Sequence, residues 1–435
     1  MKTINVDLSV PAGKIKPMNA VNNGPLGYSE RGTTNFPDYA ALEIPYARNH
    51  DASFYDGYGG EHTVDISAIF PNFDADVNDP ASYDFACTDE YTLATLEAGT
   101  KTYFRLGQKI EHYIKKFHIF PPKDFRKWAE ICEHIIRHYT EGWNNGYTLD
   151  MPYWEIWNEP DLDDGQDYKR TWAGTKQEFF DLYEITAKHL KKCFPHLKIG
   201  GPAIAGNMEW SKEFLLYQAK VGTPIDFFSW HIYCVTPEKA VERAKVARAI
   251  MDEAGYTEAE SILNEWNYVE GWTGEPFYRS KKIIAGIKGA SFSMAMMIAL
   301  QKSDILDMLM YYDARFGTTF NGLFDAFQDV QKGYYPFKFY GNLYDCAYES
   351  RTAKDPENIY SLCGVKENGK VIAIVTHYSF EEEGKRAKTV KLDFGRPGTY
   401  NIYALDKKHN GELIATTEEL SLKLPLFGTY LVEEI

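Results

Sequence analysis

The chain has 435 residues with 44% hydrophobic and 25% charged side chains, a balance that excludes disordered and fibrous classes. Its length suits one large domain joined to a smaller one. A formal net charge of −15, with no local run of Lys and Arg to offset it, argues against nucleic acid and anionic membranes as partners.

The opening "MKTINVDLSVPAG" carries no apolar signal core, so a cytoplasmic location is expected. From about residue 17 to 340, short β-rich apolar runs alternate with helical patterns, as parallel βαβ units require. The strands expected in chain order are 18–23, 42–49, 101–108, 153–159, 197–204, 226–233, 261–267 and 308–313. Eight such runs are what a closed (β/α)₈ TIM barrel needs. Between them, residues 123–139 place Phe125, Trp128, Ile131, Cys132, Ile135, Ile136 and Tyr139 on one helical stripe. Thr175 and Glu178 have capping-box spacing, and Thr236, Pro237 and Gly255 bracket a further helix. The apolar stretch 283–300 contains Lys288, Ser291 and Ser293 and reads as a buried helix rather than a membrane span.

After about residue 345 the pattern changes to short alternating strands with turn signals, including "ENGK" as a hairpin turn. The expected class is therefore α/β: a TIM barrel over 15–344 and a small antiparallel, sandwich-like β-domain over 345–435, joined by a strand from residues 1–14. Six widely spaced cysteines with no CxxC indicate neither a zinc site nor a disulfide framework. Aromatic side chains make up 15% of the chain, and flat rings with polar edges suit sugar faces, although large cores also collect them.

In barrel enzymes, chemistry gathers at the C-terminal ends of the strands. Here the fourth strand closes on Asn158 and Glu159, the sixth on His231 and Tyr233, and the seventh on Glu265, Trp266 and Asn267. Glu159 and Glu265 stand about three βα units apart at roughly 40 residues per unit, which sets them across the mouth from one another. Either Glu alone reads as readily as a surface or capping residue. Two facing carboxylates, however, are the minimum machinery for glycoside hydrolysis.

"WEIWNEP" (154–160) resembles the acid/base strand of the retaining clan A glycosidases, and "SILNEW" (261–266) resembles their nucleophile strand. Residues 64–85 and 102–112 extend the resemblance to glycoside hydrolase family 39, which includes β-xylosidases and α-L-iduronidases. The resemblance implies Glu159 as general acid/base, Glu265 as nucleophile, and Asn158 as the residue that binds a sugar 2-OH. It further implies Tyr233 as the group holding the nucleophile carboxylate and His231 lining the site, with His50 and Asp51 near the same sugar. Core packing is the alternative for His231 and Tyr233. For Asp51 it is an Asx turn, with Arg48 in a structural ion pair. Trp266 and Tyr312 are candidates for stacking on sugar, as are Trp210 and Trp272. Gln108, Glu111 and His112 could reach the cavity. Asn264 departs from the pattern, since a small hydroxyl residue is more usual before the nucleophile.

The expected protein is thus a retaining, exo-acting, β-xylosidase-like O-glycosyl hydrolase that needs no metal or organic cofactor. Its expected partner is a carbohydrate, and homo-oligomerisation is left open. No basic group marks a uronate subsite, so a neutral sugar is favoured. The rivals are a metal-dependent barrel hydrolase or isomerase with Glu159, Glu265, His231 and Asp51 as ligands, and a barrel that binds carbohydrate without turnover.

Overall fold

The computed structural model describes residues 2–25, 34–50, 64–315, 318–382 and 386–435. The first strand, β1 (Lys2–Gly13), lies outside the barrel. Then come β2 (Ala20–Asn22), β3 (Tyr46–Arg48), β4 (Lys101–Leu106), β5 (Tyr153–Ile156), β6 (Lys198–Ile204), β7 (Phe227–Cys234), β8 (Glu260–Tyr268) and β9 (Met308–Tyr311). Among the described residues these eight, β2 to β9, pair in parallel and close on one another in chain order. All eight expected barrel strands are present. Most are shorter than expected, and β4, β5 and β9 end early where Gln108, Asn158, Glu159 and Asp313 leave the ladder at the mouth.

The helices follow from local chemistry. Phe125–Glu141 starts where the Asp124 side chain accepts the backbone N–H groups of Arg126 and Lys127, and it stops at Gly142, whose φ of 74° suits glycine. Lys176–Cys193 opens with the complete Thr175–Glu178 capping box. Pro237–Glu253 begins after Thr236, which makes no side-chain cap bond, so proline at the first helical position carries that start.

The bottom of the barrel is filled by Ala20, Tyr103, Tyr153, Phe227, Ile262, Met308 and Met310. Above this apolar plug the interior turns polar, and the candidate site begins there.

The remaining strands are β10 (Cys346–Thr352), β11 (Ile359–Lys366), β12 (Val371–His377), β13 (Lys388–Asp393), β14 (Tyr400–Leu405), β15 (Asn410–Thr417), β16 (Ser421–Leu424) and β17 (Thr429–Glu434). Among the described residues they and β1 form nine strands in the order β15-β14-β17-β12-β11-β10-β1-β13-β16. The sheet is not wholly antiparallel, because β1 runs parallel to β13. Register shifts between Asp7 and Gly13 mark where β1 bends along β10.

One helix, Ile287–Ser303, explains the apolar stretch. It is buried on nearly every face because it packs against neighbouring barrel helices on one side and β11 and β12 on the other. Ser291 Oγ donates to the His377 carbonyl, and Phe292 packs against Trp266, Tyr268 and Tyr378. Among the described residues no single helix is long and apolar enough to cross a membrane. The segment preceding this helix meets it at a 79° bend.

Phe292 ties barrel wall, helix and β-sheet together. Phe292→Ala is expected to destabilise the protein by about 3–5 kcal/mol, as large aromatic truncations in cores do. Urea unfolding of the variant should show a lowered midpoint; an unchanged midpoint would contradict this packing.

Candidate active site

Adjacent strand residues normally face opposite sides, yet Asn158 and Glu159 both reach the mouth. The backbone accounts for this: Trp157 and Glu159 both adopt left-handed φ, 72° and 50°, and so kink the end of β5. The kink is pinned by Glu159 N–H donating to the Ala203 carbonyl and by Thr171 Oγ1 donating to the Glu159 carbonyl. Asp161 adds a clamp, its carboxylate accepting the backbone N–H groups of Ala205, Gly206 and Asn207. Burial pushes the Asp161 carboxyl up to about 6, with the charge of Glu159 acting in the same sense and the three amides opposing it.

A second irregularity serves β8. Trp230 pairs with Leu263 but His231 pairs with Glu265, so Asn264 is an extra residue in the ladder. That bulge lets consecutive side chains point inward: Asn264 Nδ2 donates to Glu155, and Glu265 rises above it. It also turns Trp266 outward. Trp266 is fully buried against Tyr311 and Phe292, so the expectation that it stacks on sugar is corrected: it is a wall residue. Trp210 likewise belongs to the core, packed on Phe179, Phe180 and Phe214.

Beneath the carboxylates lies Arg48, fully buried. Its Nε donates to Glu155 Oε2 at 2.6 Å, and its Nη1 donates to Glu265 Oε1 at 2.8 Å and to Asn22 Oδ1 at 3.1 Å. Its Nη2 donates to Asn158 Oδ1 at 2.6 Å. Glu155 is satisfied further by Tyr103 Oη, Ser229 Oγ and Asn264 Nδ2. Burial alone would lower the Arg48 guanidinium, but the charges of Glu155 and Glu265 outweigh it and hold it above its ordinary value. The ion pair expected of Arg48 therefore exists, and it belongs to the site. Glu155 escaped the sequence reading because an interior strand Glu has no motif of its own until its partners are known.

Glu265 also accepts from Tyr233 Oη at 2.8 Å, and His50 Nε2 lies 3.4 Å from its Oε1. His231 Nδ1 stands 2.8 Å from Glu159 Oε1 and 3.6 Å from Glu265 Oε2. One ligand-type atom each from Glu159, His231 and Glu265 fall within 4.8 Å of one another. Burial lowers His231, opposed by the charge of Glu265 and reinforced by Arg48. Burial raises the Glu265 carboxyl and the nearby Glu159 adds to that, while His231, Arg48 and the Tyr233 hydroxyl pull it down.

Tyr312 sits at the rim near His50 and Tyr233, and Trp272, 57% exposed, meets Tyr233 edge-on. Trp272 and Tyr233 also border a groove beside the mouth, together with Ile232, Arg243 and Glu270. Asp51 lies outside the described residues. Gln108 accepts from Ser67 Oγ, and Glu111 turns away to accept the Phe117 and His118 N–H groups of its own loop.

The Glu159, His231 and Glu265 atoms are close enough to surround a cation, yet Arg48 and Tyr233 already hold both oxygens of Glu265. What the arrangement does readily is set two carboxylates across a small gap. Two charges this close repel by about 3 kcal/mol at an effective dielectric of about 20, so each raises the cost of ionising the other. Asn158 Nδ2 is buried and has no partner among the described residues, which leaves a donor for a bound hydroxyl.

The profile of glycosyl hydrolases family 39 matches residues 60–278. A beta-xylosidase of Geobacillus stearothermophilus is 32% identical over 174 residues, covering 35% of this chain and 33% of that protein. One of Caldicellulosiruptor saccharolyticus is 38% identical over 179 residues, 39% of this chain and 34% of that protein. The aligned stretch thus spans about a third of each relative's length. Among solved structures, a glucosidase from Croceicoccus marinus superposes with a TM-score of 0.81 at 21% identity, over 100% of this chain and 99% of that one, a likeness of fold.

The charge network makes a spectroscopic prediction. The Glu265 carboxyl, followed by carbon-13 NMR or infrared difference spectra, should titrate above the ordinary 4.5. Tyr233→Phe should move it higher by removing a donor to the anion. Glu155→Gln should move it lower by leaving Arg48 less compensated. Shifts of opposite sign would contradict the network.

Proposed function

This chain belongs to glycosyl hydrolases family 39, and from that membership and the geometry of its site we propose that it is a retaining, exo-acting O-glycosyl hydrolase, β-xylosidase-like, that releases terminal neutral sugars. The observation that carries the proposal is the carboxylate pair. One oxygen each of Glu159 and Glu265 lie within 4.8 Å of one another, a gap on the side of the retaining separation of about 5–5.5 Å and too short for the roughly 6.5–9.5 Å that an inverting enzyme leaves for water. The names of the two partial relatives support the choice of xylosidase.

In the first step Glu265 attacks the anomeric carbon as a carboxylate, forming the glycosyl–enzyme ester as the bond to the leaving oxygen breaks. Glu159 gives that oxygen its proton. Water then enters, Glu159 takes a proton from it, and the hydroxide equivalent displaces Glu265 from the same carbon. Two inversions give net retention. The roles divide as the surroundings dictate: Glu265, held by Arg48 and Tyr233, is the stabilised anion and leaving carboxylate. Glu159, whose Oε1 meets His231 Nδ1 and no guanidinium, is the carboxyl that exchanges a proton. Asn158 presents its Nδ2, which has no partner among the described residues, to the sugar 2-OH.

Glu265→Ala should abolish turnover of aryl glycosides and recover it with azide. Glu159→Ala should lose about 10²–10⁴-fold on substrates with poor leaving groups and much less on dinitrophenyl glycosides. A panel of aryl β-xyloside, β-glucoside, β-galactoside and α-L-arabinoside is expected to rank the xyloside first by kcat/KM. Full activity in both variants would overturn the reading; binding without turnover on every member would favour a lectin-like barrel.

A further inference from the structure

Away from the mouth, three side chains with metal-binding chemistry meet on the outer helical layer. His189 and Cys193 are four residues apart on Lys176–Cys193 and so share a face, and Glu133 reaches them from the neighbouring helix Phe125–Glu141. Glu133 Oε2 lies 2.6 Å from His189 Nε2, and Cys193 Sγ lies 3.9 Å from that same nitrogen. One ligand atom from each falls within 4.8 Å of the others. Around a tetrahedral zinc ion with bonds of about 2.0–2.3 Å, ligand atoms stand roughly 3.3–3.7 Å apart, so shifts of about an ångström or less admit the ion. Arg137 occupies Glu133 Oε1 and leaves Oε2 turned toward the imidazole. All three residues are partly exposed, which gives a hydrated ion a path in.

We propose that Glu133, His189 and Cys193 form a site for a thiophilic divalent cation of the zinc or cadmium kind, with water in the fourth position. Thiolate, imidazole and carboxylate together favour such ions over magnesium or calcium. Binding exchanges the Glu133–His189 hydrogen bond for metal bonds. The Cys193 thiol proton leaves to solvent, and His189 coordinates through Nε2 as the neutral ring with its proton on Nδ1. Burial and the charge of Glu133 hold the Cys193 thiol above its ordinary value, so affinity rises with pH as that proton becomes easier to release. Arg137 and the missing fourth protein ligand keep the site weaker than a closed structural one. The helix Lys176–Cys193 packs on β5, and Trp128 of the other helix packs against Trp157 just beyond it, so the ion clamps the wall that carries Asn158 and Glu159. Cysteine spacing gave no hint of this, because the ligands come from two helices rather than one CxxC.

Titrating the full chain with cadmium chloride tests the proposal, read by the ultraviolet thiolate-to-cadmium band and by Tm. The wild type should show a saturable band of one ion per chain and a rise in Tm that zinc competes for and magnesium does not. Cys193→Ser should lose the band, and His189→Gln and Glu133→Gln should bind at least about tenfold more weakly, since even outer-shell partners act on that scale. Protection of Cys193 from iodoacetamide by cadmium, read by mass spectrometry, needs no variant to fold. No saturable band in the wild type, an equal band in Cys193→Ser, or unprotected Cys193 would each overturn it.

Discussion

The guanidinium of Arg48 is the fixed point of this molecule's chemistry. It sits on the apolar plug of the barrel, fully buried, and spends its donors on Glu155, Glu265, Asn158 and Asn22. Taking such a charge out of water is costly, and only a complete set of acceptors makes it tolerable. Removing one partner of a buried pair of this sort costs about 3–5 kcal/mol, because the remaining charge is stranded. A lysine could not substitute, since the planar fork is what spans four acceptors from three strands.

From that anchor the rest of the site follows. Glu155 balances Arg48 from below, and Tyr103, Ser229 and Asn264 saturate Glu155, so the cluster is rigid before any substrate arrives. Glu265 and Asn158 are then held by the same cation, which fixes the attacking oxygen and the 2-OH donor relative to one another. Glu159 is placed by different means, through the kink at Trp157 and Glu159 and the clamp of Asp161. One carboxylate is anchored by charge and the other by backbone, a division that suits one group meant to stay anionic and one meant to exchange protons.

The sequence made legible what periodicity and strand ends encode. The eight barrel strands, the capped helices and the two glutamates at facing strand ends could be read directly. So could the aromatic and histidine neighbours that follow the same ends. Three kinds of information were hidden. Trp266 was misplaced because the extra residue Asn264 changes which way the strand faces, and a bulge leaves no mark in alternation. Glu155 and Asp161 were missed because buried carboxylates look like any others until their donors are assembled. The parallel pairing of β1 with β13 was hidden too, because alternation marks a strand but not the direction of its partner. The Asn264 departure, odd as a motif, becomes intelligible as a ligand of Glu155.

The central claim is that Glu265 and Glu159 act as a double-displacement pair across a short gap. The stereochemistry of the first-formed product tests it most directly, followed by proton NMR during hydrolysis of an aryl β-xyloside before mutarotation intervenes. The account predicts that the β-anomer of the free sugar appears first and the α-anomer only later. Initial release of the α-anomer would contradict it, since that outcome requires water to attack directly between carboxylates farther apart than these.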